Sequence, residues 1–272
     1  MKSHVPDIRE EILKNIPARR ITASIIAEGE GIIAGTAFAR KEMERLGLDL
    51  LIMVDDGHYI KNGGEVVRFA GSPKQILMAE ETVIGLLAKP SGIASSARRF
   101  VDATGGRPKV VSGAWKKMPP SLKDMVRESV KAGGVSPRIV PDQFAYLDKN
   151  YVELLGGVGK CLAAVAHLNG IVKVVQVKGR YGDIASEACE AAMSGAGVVF
   201  IDSCNPRDIE SVSDRLCSLG LRNRVKLAFG GGIKLEAIDL LKRMDVDILD
   251  IGRQIVDAPM LDMRLEITDS QS

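Results

Sequence analysis

The second half of the chain alternates two kinds of segment. Apolar runs rich in β-branched residues stand at IVKVVQV (171–177), GVVFID (197–202), RVKLAFG (224–230) and VDILDIG (246–252). Between them, DIASEACEAAMSG (183–195), PRDIESVSDRLCSLG (206–220) and KLEAIDLLKRM (234–244) carry apolar residues at helical spacing. A strand and a helix in turn, about twenty to thirty residues per unit, is the pattern of parallel βαβ structure. Asp183, Asn205 and Gly232 fall where helix caps or tight turns are needed. Two earlier units continue the rhythm: KVV (109–111) before SLKDMVRESVKAGG (121–134), and RIV (138–140) before VELLGGVGKCLAAVAHLNG (152–170). Six strand candidates in order, a glycine-rich turn late in the chain and no GxGxxG after the first strand predict an α/β fold of the incomplete β/α barrel kind. An open dinucleotide-binding sheet would carry its glycines earlier.

The first hundred residues have another pattern. Short strand-like stretches are broken by DDG, NGG and AGS turns and then run into a long helix, which predicts a small N-terminal α+β sandwich domain. GEGIIAG lacks the GK[ST] of a P-loop and reads as a strand with tight turns. VDATGG (101–106) reads as a helix stop, with Gly105 and Gly106 as the break. TGGRP (104–108) then marks a boundary between an N-terminal domain, 1–104, and a barrel domain, 105–258. The tail, 259–272, is expected to pack back on the N-terminal domain.

Composition narrows the function classes. The 272 residues are 46% hydrophobic, enough for a sizeable core, and 37 Lys and Arg against 35 Asp and Glu leave a net charge of +2. No overall field therefore directs the chain to nucleic acid or to a membrane. The cysteines at 161, 189, 204 and 217 have neither CxxC spacing nor nearby histidines, so they predict reduced thiols and no zinc site. The start, MKSHVPDIREEILKN, has no apolar signal core, and no run approaches the ~20 apolar residues of a membrane span. These features predict a cytoplasmic protein.

Candidate chemistry gathers at the strand C-termini. AFGGGIK (228–234) and DIGRQI (250–255) each end a strand and open a helix. Glycines there let backbone N–H groups approach an anion, so Gly230, Gly231, Gly232, Gly252 and Arg253 are the predicted phosphate site. The same end offers Lys116 and Lys117 after the first strand, Arg138 at the second, Gln176 and Lys178 at the third and Asp202 at the fourth. Cations with one acid beside a phosphate cradle suit a polyanionic, metal-bearing ligand.

The layout resembles the quinolinate phosphoribosyltransferase family, the carboxylating nicotinate-nucleotide pyrophosphorylases. The likeness runs from EGEGIIAG through GSPKQILMAEETVIGLLAKPSGIASSARRFVD and GGGI to DIGRQIVDAPMLDMRLEI. It implies a type II phosphoribosyltransferase barrel, and a homodimer or higher oligomer in which one subunit's N-terminal domain covers its partner's barrel mouth. It also implies transfer of phosphoribose from phosphoribosyl diphosphate to a heteroaromatic acid, with Mg²⁺ on the diphosphate. Carried over residue by residue, Lys116 and Lys117 take the place of the family's Arg-Lys pair, Arg138 of an arginine in a His-Arg pair, and Asp202 of the acid after LD. On this resemblance Lys117, Asp202 and Gln176 are expected to be catalytic, with Asp202 also serving the diphosphate-bound metal indirectly. Lys116, Arg138, Lys149, Tyr151 and Glu81 are expected to bind substrate.

The chain also departs from the family pattern. ERT reads Glu80-Glu81-Thr82, His-Arg reads Pro137-Arg138, KDNH reads Asp148-Lys149-Asn150-Tyr151, and the acid of the third strand is Gln176. The polyphosphate side is largely kept, while the side for a dicarboxylate has lost cations. An acceptor other than quinolinate is expected. A non-catalytic phosphate- or nucleotide-binding paralogue stands as the alternative, with a sugar-phosphate barrel enzyme behind it. Trp115 and Tyr151 either stack an aromatic base or, for Trp115, seal a barrel end.

Overall fold

The computed structural model describes residues 7–17 and 19–268. In chain order its N-terminal elements are α1 (Ile8–Leu13), β1 (Ile21–Ala27), β2 (Gly31–Ile32), α2 (Thr36–Leu46), β3 (Asp49–Met53), β4 (Tyr59–Ile60), β5 (Glu65–Gly71) and α3 (Pro73–Thr104). Next come β6 (Lys109–Val111), α4 (Lys123–Ala132), β7 (Phe144–Leu147), α5 (Lys149–Leu155), α6 (Val158–Ala164), β8 (Val172–Val177) and α7 (Ile184–Met193). The last are β9 (Val198–Asp202), α8 (Arg207–Ser218), β10 (Lys226–Gly230), α9 (Ile238–Leu241), β11 (Ile248–Asp250), α10 (Arg253–Val256) and β12 (Met263–Ile267). The chain forms two compact units. One takes the residues up to Arg98, Pro120–Gly134 and the chain from Ala258 onward; the other takes Arg99–Pro119 and Val135–Asp257.

The first unit is built on an antiparallel sheet in the order β12-β1-β5-β3. Its buried face and the inner face of α3 share one core, in which Ile25, Val67, Phe69, Ile76, Val83 and Leu87 are inaccessible to solvent. The C-terminal strand β12 joins this sheet beside β1 through five paired positions, from Ala23 with Ile267 to Ala27 with Met263. Helix α3 stops at Thr104, where Gly105 and Gly106 take positive φ values of 62° and 86°. Segment 120–134, inside the span expected of the barrel, groups with this first unit.

The second unit is a six-stranded parallel sheet in the order β6-β11-β10-β9-β8-β7. The first strand in the chain lies beside the last, so the sheet curls into a barrel that lacks a ladder between β6 and β7. Across that gap there is one bridge, Val111 with Ser136, and the Ser112 N–H donates to the Ser136 carbonyl at 2.9 Å. The fold is thus the incomplete β/α barrel with an N-terminal antiparallel sheet domain that the hydrophobic rhythm predicts.

Three predicted elements differ. The second barrel strand is Phe144–Leu147 and not RIV (138–140). Pro137 and Pro141 flank RIV and have no N–H to give a ladder, so Ile139 and Val140 fill the barrel core from an irregular segment. The helix expected over 152–170 is two helices, α5 and α6, broken where Gly156 and Gly157 take φ of 79° and 123°. KLEAIDLLKRM gives only a 3₁₀ turn, Leu235–Ala237, and the single turn of α9.

Candidate active site

Alternation along the barrel strands builds the site. Val111, Phe144, Tyr146, Val172, Val174, Val198, Phe200, Ala228 and Ile248 share the barrel core, so they mark the inward-facing positions. Two residues further along each strand, the inward positions are Gly113, Asp148, Gln176, Asp202, Gly230 and Asp250. Apolar layers thus give way to polar groups at the C-terminal mouth. There a cavity of about 600 Å³ is lined by, among others, Lys116, Lys117, Tyr146, Lys149, Gln176, Asp202, Gly231, Gly232, Asp250 and Arg253.

On the β8–β9 side Asp202 has a charged partner. The Lys178 ammonium lies 2.8 Å from the Asp202 carboxylate and also donates to the Asp202 carbonyl at 2.9 Å. Buried Gln176 donates its amide N–H to the same carboxylate, while its Oε1 accepts the Lys149 N–H at 2.8 Å. That second bond fixes the amide's orientation. A glutamate here would set two carboxylates against each other. Behind this group, the buried Glu187 carboxylate of α7 accepts the backbone N–H groups of Lys178, Gly179, Arg180 and Tyr181 at 2.5 to 3.0 Å. One side chain therefore folds the loop after β8 and brings Lys178 to Asp202.

The β6–β11 side is arranged differently. Asp250 accepts the Gly113 N–H at 3.0 Å and, among the described residues, has no ion-pair partner. It keeps some solvent contact but lies deep in the cavity, and burial is the main cause that raises its pKa above 3.8. The Gly113 N–H and the two lysines oppose that shift, and Asp202 adds to it. Tyr146 is likewise held as the neutral phenol, first by burial and then by Asp250, Asp202 and Asp148. The Lys116 ammonium lies 5.3 Å from the centre of the Tyr146 ring, and the Phe200 ring is 6.2 Å from Tyr146 on its other contact. Trp115 ties this loop down by donating its indole N–H to the Pro137 carbonyl at 2.8 Å. It is not among the cavity-lining residues, which favours the sealing role.

The glycine turns lie next to both acids. Gly230 is level with Asp202 on one neighbour and Asp250 on the other, and the Phe200 ring occupies the space a Cβ would need. Gly231 has φ of 104°, and a Cβ there would come within 2.6 Å of Cys204 Sγ, so the close turn requires glycine. Only short helical turns come after Gly232 and Gly252, so the cradle's donors are backbone N–H groups with Lys234 and Arg253 near by.

Of the predicted residues, the cavity collects Lys116, Lys117, Lys149, Gln176, Asp202, Gly231, Gly232, Gly252 and Arg253. Gly230 supports it from the strand. Arg138 is not brought in: it is exposed, stacks at 5.3 Å on the Phe144 ring and donates to the Asp142 carbonyl at 2.8 Å. Tyr151 stands exposed on α5, outside the cavity lining. Glu81 lies on α3 of the first unit, where Arg9 pairs with it. Asp250, Tyr146 and Glu187 join the site without being predicted; period-two counting from Ile248 and Phe144 would find the first two. Among the described residues no cluster of three or more acids, histidines or cysteines could hold a metal ion by itself. One half-buried carboxylate, Asp202, beside the glycine turns is of a kind that fits a Mg²⁺ ion brought by an anionic ligand.

Comparison with known proteins decides the family. The model of the quinolinate phosphoribosyl transferase N-terminal domain matches residues 7–91, and that of the C-terminal domain matches residues 93–266. The chain belongs to the quinolinate phosphoribosyl transferase family. Among curated members, a probable nicotinate-nucleotide pyrophosphorylase [carboxylating] of Methanothermobacter thermautotrophicus is 29% identical over 91% of this chain and 88% of its own length. The human nicotinate-nucleotide pyrophosphorylase [carboxylating] is 25% identical over 90% and 82%. The solved pyrophosphorylase of Pyrococcus furiosus superposes with a TM-score of 0.83 at 21% identity, covering 96% of this chain and 72% of that one. That of Francisella tularensis gives 0.80 at 20% identity, covering 96% and 94%. The family's activity is that of a phosphoribosyltransferase of pyridine nucleotide biosynthesis. The relatives' names lend no support to an acceptor other than quinolinate or to a non-catalytic paralogue. Among the described residues no helix is long and apolar enough to cross a membrane.

Proposed function

We propose that the barrel mouth binds phosphoribosyl diphosphate and transfers its phosphoribosyl group to a ring nitrogen of a pyridine-like carboxylic acid. The observation that carries this reading is one cavity that combines a glycine cradle, exposed Lys116 and Lys117, and a paired, half-buried Asp202. The ring nitrogen's lone pair forms the new bond to C1′ as the bond to diphosphate breaks, and positive charge builds on the ribose ring meanwhile. Gly231, Gly232 and Gly252, with Arg253 at the edge, hold the 5′-phosphate. Lys117 and Lys116 take up the negative charge of the departing diphosphate. Asp202, fixed by Lys178 and Gln176, presents a negative charge to the ribose as C1′ becomes cationic. Lys149, in the cavity wall, meets the acceptor. Mg²⁺ carried by the substrate would neutralise diphosphate oxygens, with Asp202 the residue placed to steady it.

A homodimer or higher oligomer accords with this reading, since the edge strand β3 exposes Leu51 and Ile52. In such an assembly Glu81 belongs to the wall that one subunit lends its partner. Diphosphate release from phosphoribosyl diphosphate and Mg²⁺ with a panel of pyridine carboxylates tests the proposal; no release with any acceptor sinks it. A second, narrower reading, that the preferred acceptor is not quinolinate, is supported by Arg138 on Phe144 and by Glu81 paired with Arg9. Efficient conversion of quinolinate would end that reading and leave the first standing.

A further inference from the structure

Asp250 is an acid that the fold carries into the cavity without an ion pair among the described residues; Lys116 and Lys117 act on it from beyond ion-pair distance. It ends β11 level with Gly230, and among the described residues its carboxylate accepts one hydrogen bond, from the Gly113 N–H at 3.0 Å. Among the described residues it forms no ion pair, whereas Asp202, at the same level on the other side of Gly230, has Lys178 at 2.8 Å. Around it the cavity wall is aromatic, with the Tyr146 and Phe200 rings 6.2 Å apart. The glycines that would hold a phosphate lie beyond it, in the turns after β10 and β11. A ligand anchored by its phosphate on the rim therefore turns its aromatic part toward the barrel axis, the direction in which Asp250 points.

We propose that Asp250 selects the acceptor by accepting a hydrogen bond from an N–H or NH₂ group on its heteroaromatic ring. The inference rests on the phosphoribosyltransferase reading above and narrows its substrate class. An enclosed acid without an ion pair is relieved by a donor and opposed by another carboxylate. The site then takes amino- or amide-substituted pyridines, or azoles that bear N–H, with at most one carboxylate.

The test compares wild type, D250N and D250S in diphosphate release from phosphoribosyl diphosphate and Mg²⁺. Quinolinate, nicotinate, nicotinamide, 2-aminonicotinate and imidazole-4-carboxylate serve as acceptors, and calorimetry measures phosphoribosyl diphosphate binding. Asn keeps an oxygen for the Gly113 N–H but turns a donor toward the ligand; Ser removes the carboxylate if the Asn variant fails to fold. The wild type is expected to favour the N–H acceptors over quinolinate by roughly tenfold or more in kcat/KM. The variants are expected to lose roughly ten- to a hundredfold on those acceptors, mainly through KM, with little change on quinolinate. Their affinity for phosphoribosyl diphosphate should stay within about twofold of the wild type. An equal loss on every acceptor, or a loss confined to phosphoribosyl diphosphate, overturns the inference and places Asp250 on the ribose. If the wild type neither binds phosphoribosyl diphosphate nor releases diphosphate, the parent reading fails and this one with it.

Discussion

Asp202 and Asp250 occupy matching places on opposite sides of β10, both inward, both level with Gly230, and yet their surroundings are opposites. The difference arises in the loops at the barrel mouth. After β8 the chain folds back on Glu187 and delivers Lys178 to Asp202. After β11 it turns at once through Gly252 into α10, and the next cation, Arg253, is 86% exposed and lies 3.9 Å from Asp257. One acid is thereby fixed by an ion pair, and the other, among the described residues, has none. Strand ends of the same geometry become different chemical groups through the segments attached to them.

The comparison breaks most visibly at Glu187. Replacing it by alanine strands four backbone N–H groups, and urea unfolding should show a loss of about 3 kcal/mol or more. A loss under about 1 kcal/mol would mean that the loop holds itself. Next in size, K178A leaves Asp202 without its partner; diphosphate release should fall roughly ten- to a hundredfold, with the melting temperature little changed. If Lys178 were a surface charge only, the rate would stay near wild type.

D250N sharpens the other side through pH. The Asp250 pKa is raised in the fold, so its contribution to stability is fully present below the ordinary carboxylate value of 3.8 and is lost as pH rises through the folded value. The variant should therefore melt above the wild type at pH 8, and the gap should narrow toward pH 4. A constant gap would show that Asp250 is compensated after all. The smallest effect is expected at Arg138, whose guanidinium is spent on Phe144 and Asp142: R138A should change kcat/KM for any acceptor by less than about twofold.

The barrel was legible because parallel strands buried on both faces read as β-branched runs, and KVV, GVVFID and RVKLAFG are such runs. FAYL was not, because it is short, partly exposed and has no β-branched residue, while the neighbouring RIV has two but is flanked by prolines. In the site, glycines and lysines at strand ends were legible from chain position alone. Asp250 was hidden inside an apolar run, where its direction and not its neighbours in sequence carries the information. Glu187 was hidden further, since an acid among alanines on a helix looks solvated until the loop that needs it is placed. Arg138 was misplaced for a related reason: matching a motif fixes a residue's number and not its rotamer.

The missing ladder between β6 and β7 gives the ring one weak link. A closed barrel cannot widen without breaking a hydrogen bond in every layer, whereas between β6 and β7 this one is joined, among the described residues, by the Val111–Ser136 bridge, the Trp115 indole and the Lys116–Tyr146 contact in place of a ladder. Lys116 and Lys117 lie on one side of the opening and Tyr146 stands on the other. Gly231, Gly232 and Gly252 sit within the continuous part of the sheet. The mouth thus has one continuous side and one interrupted side. On the proposed reading the phosphate, the same in every turnover, meets the continuous side, and a new acceptor would be accommodated by refitting the interrupted side alone.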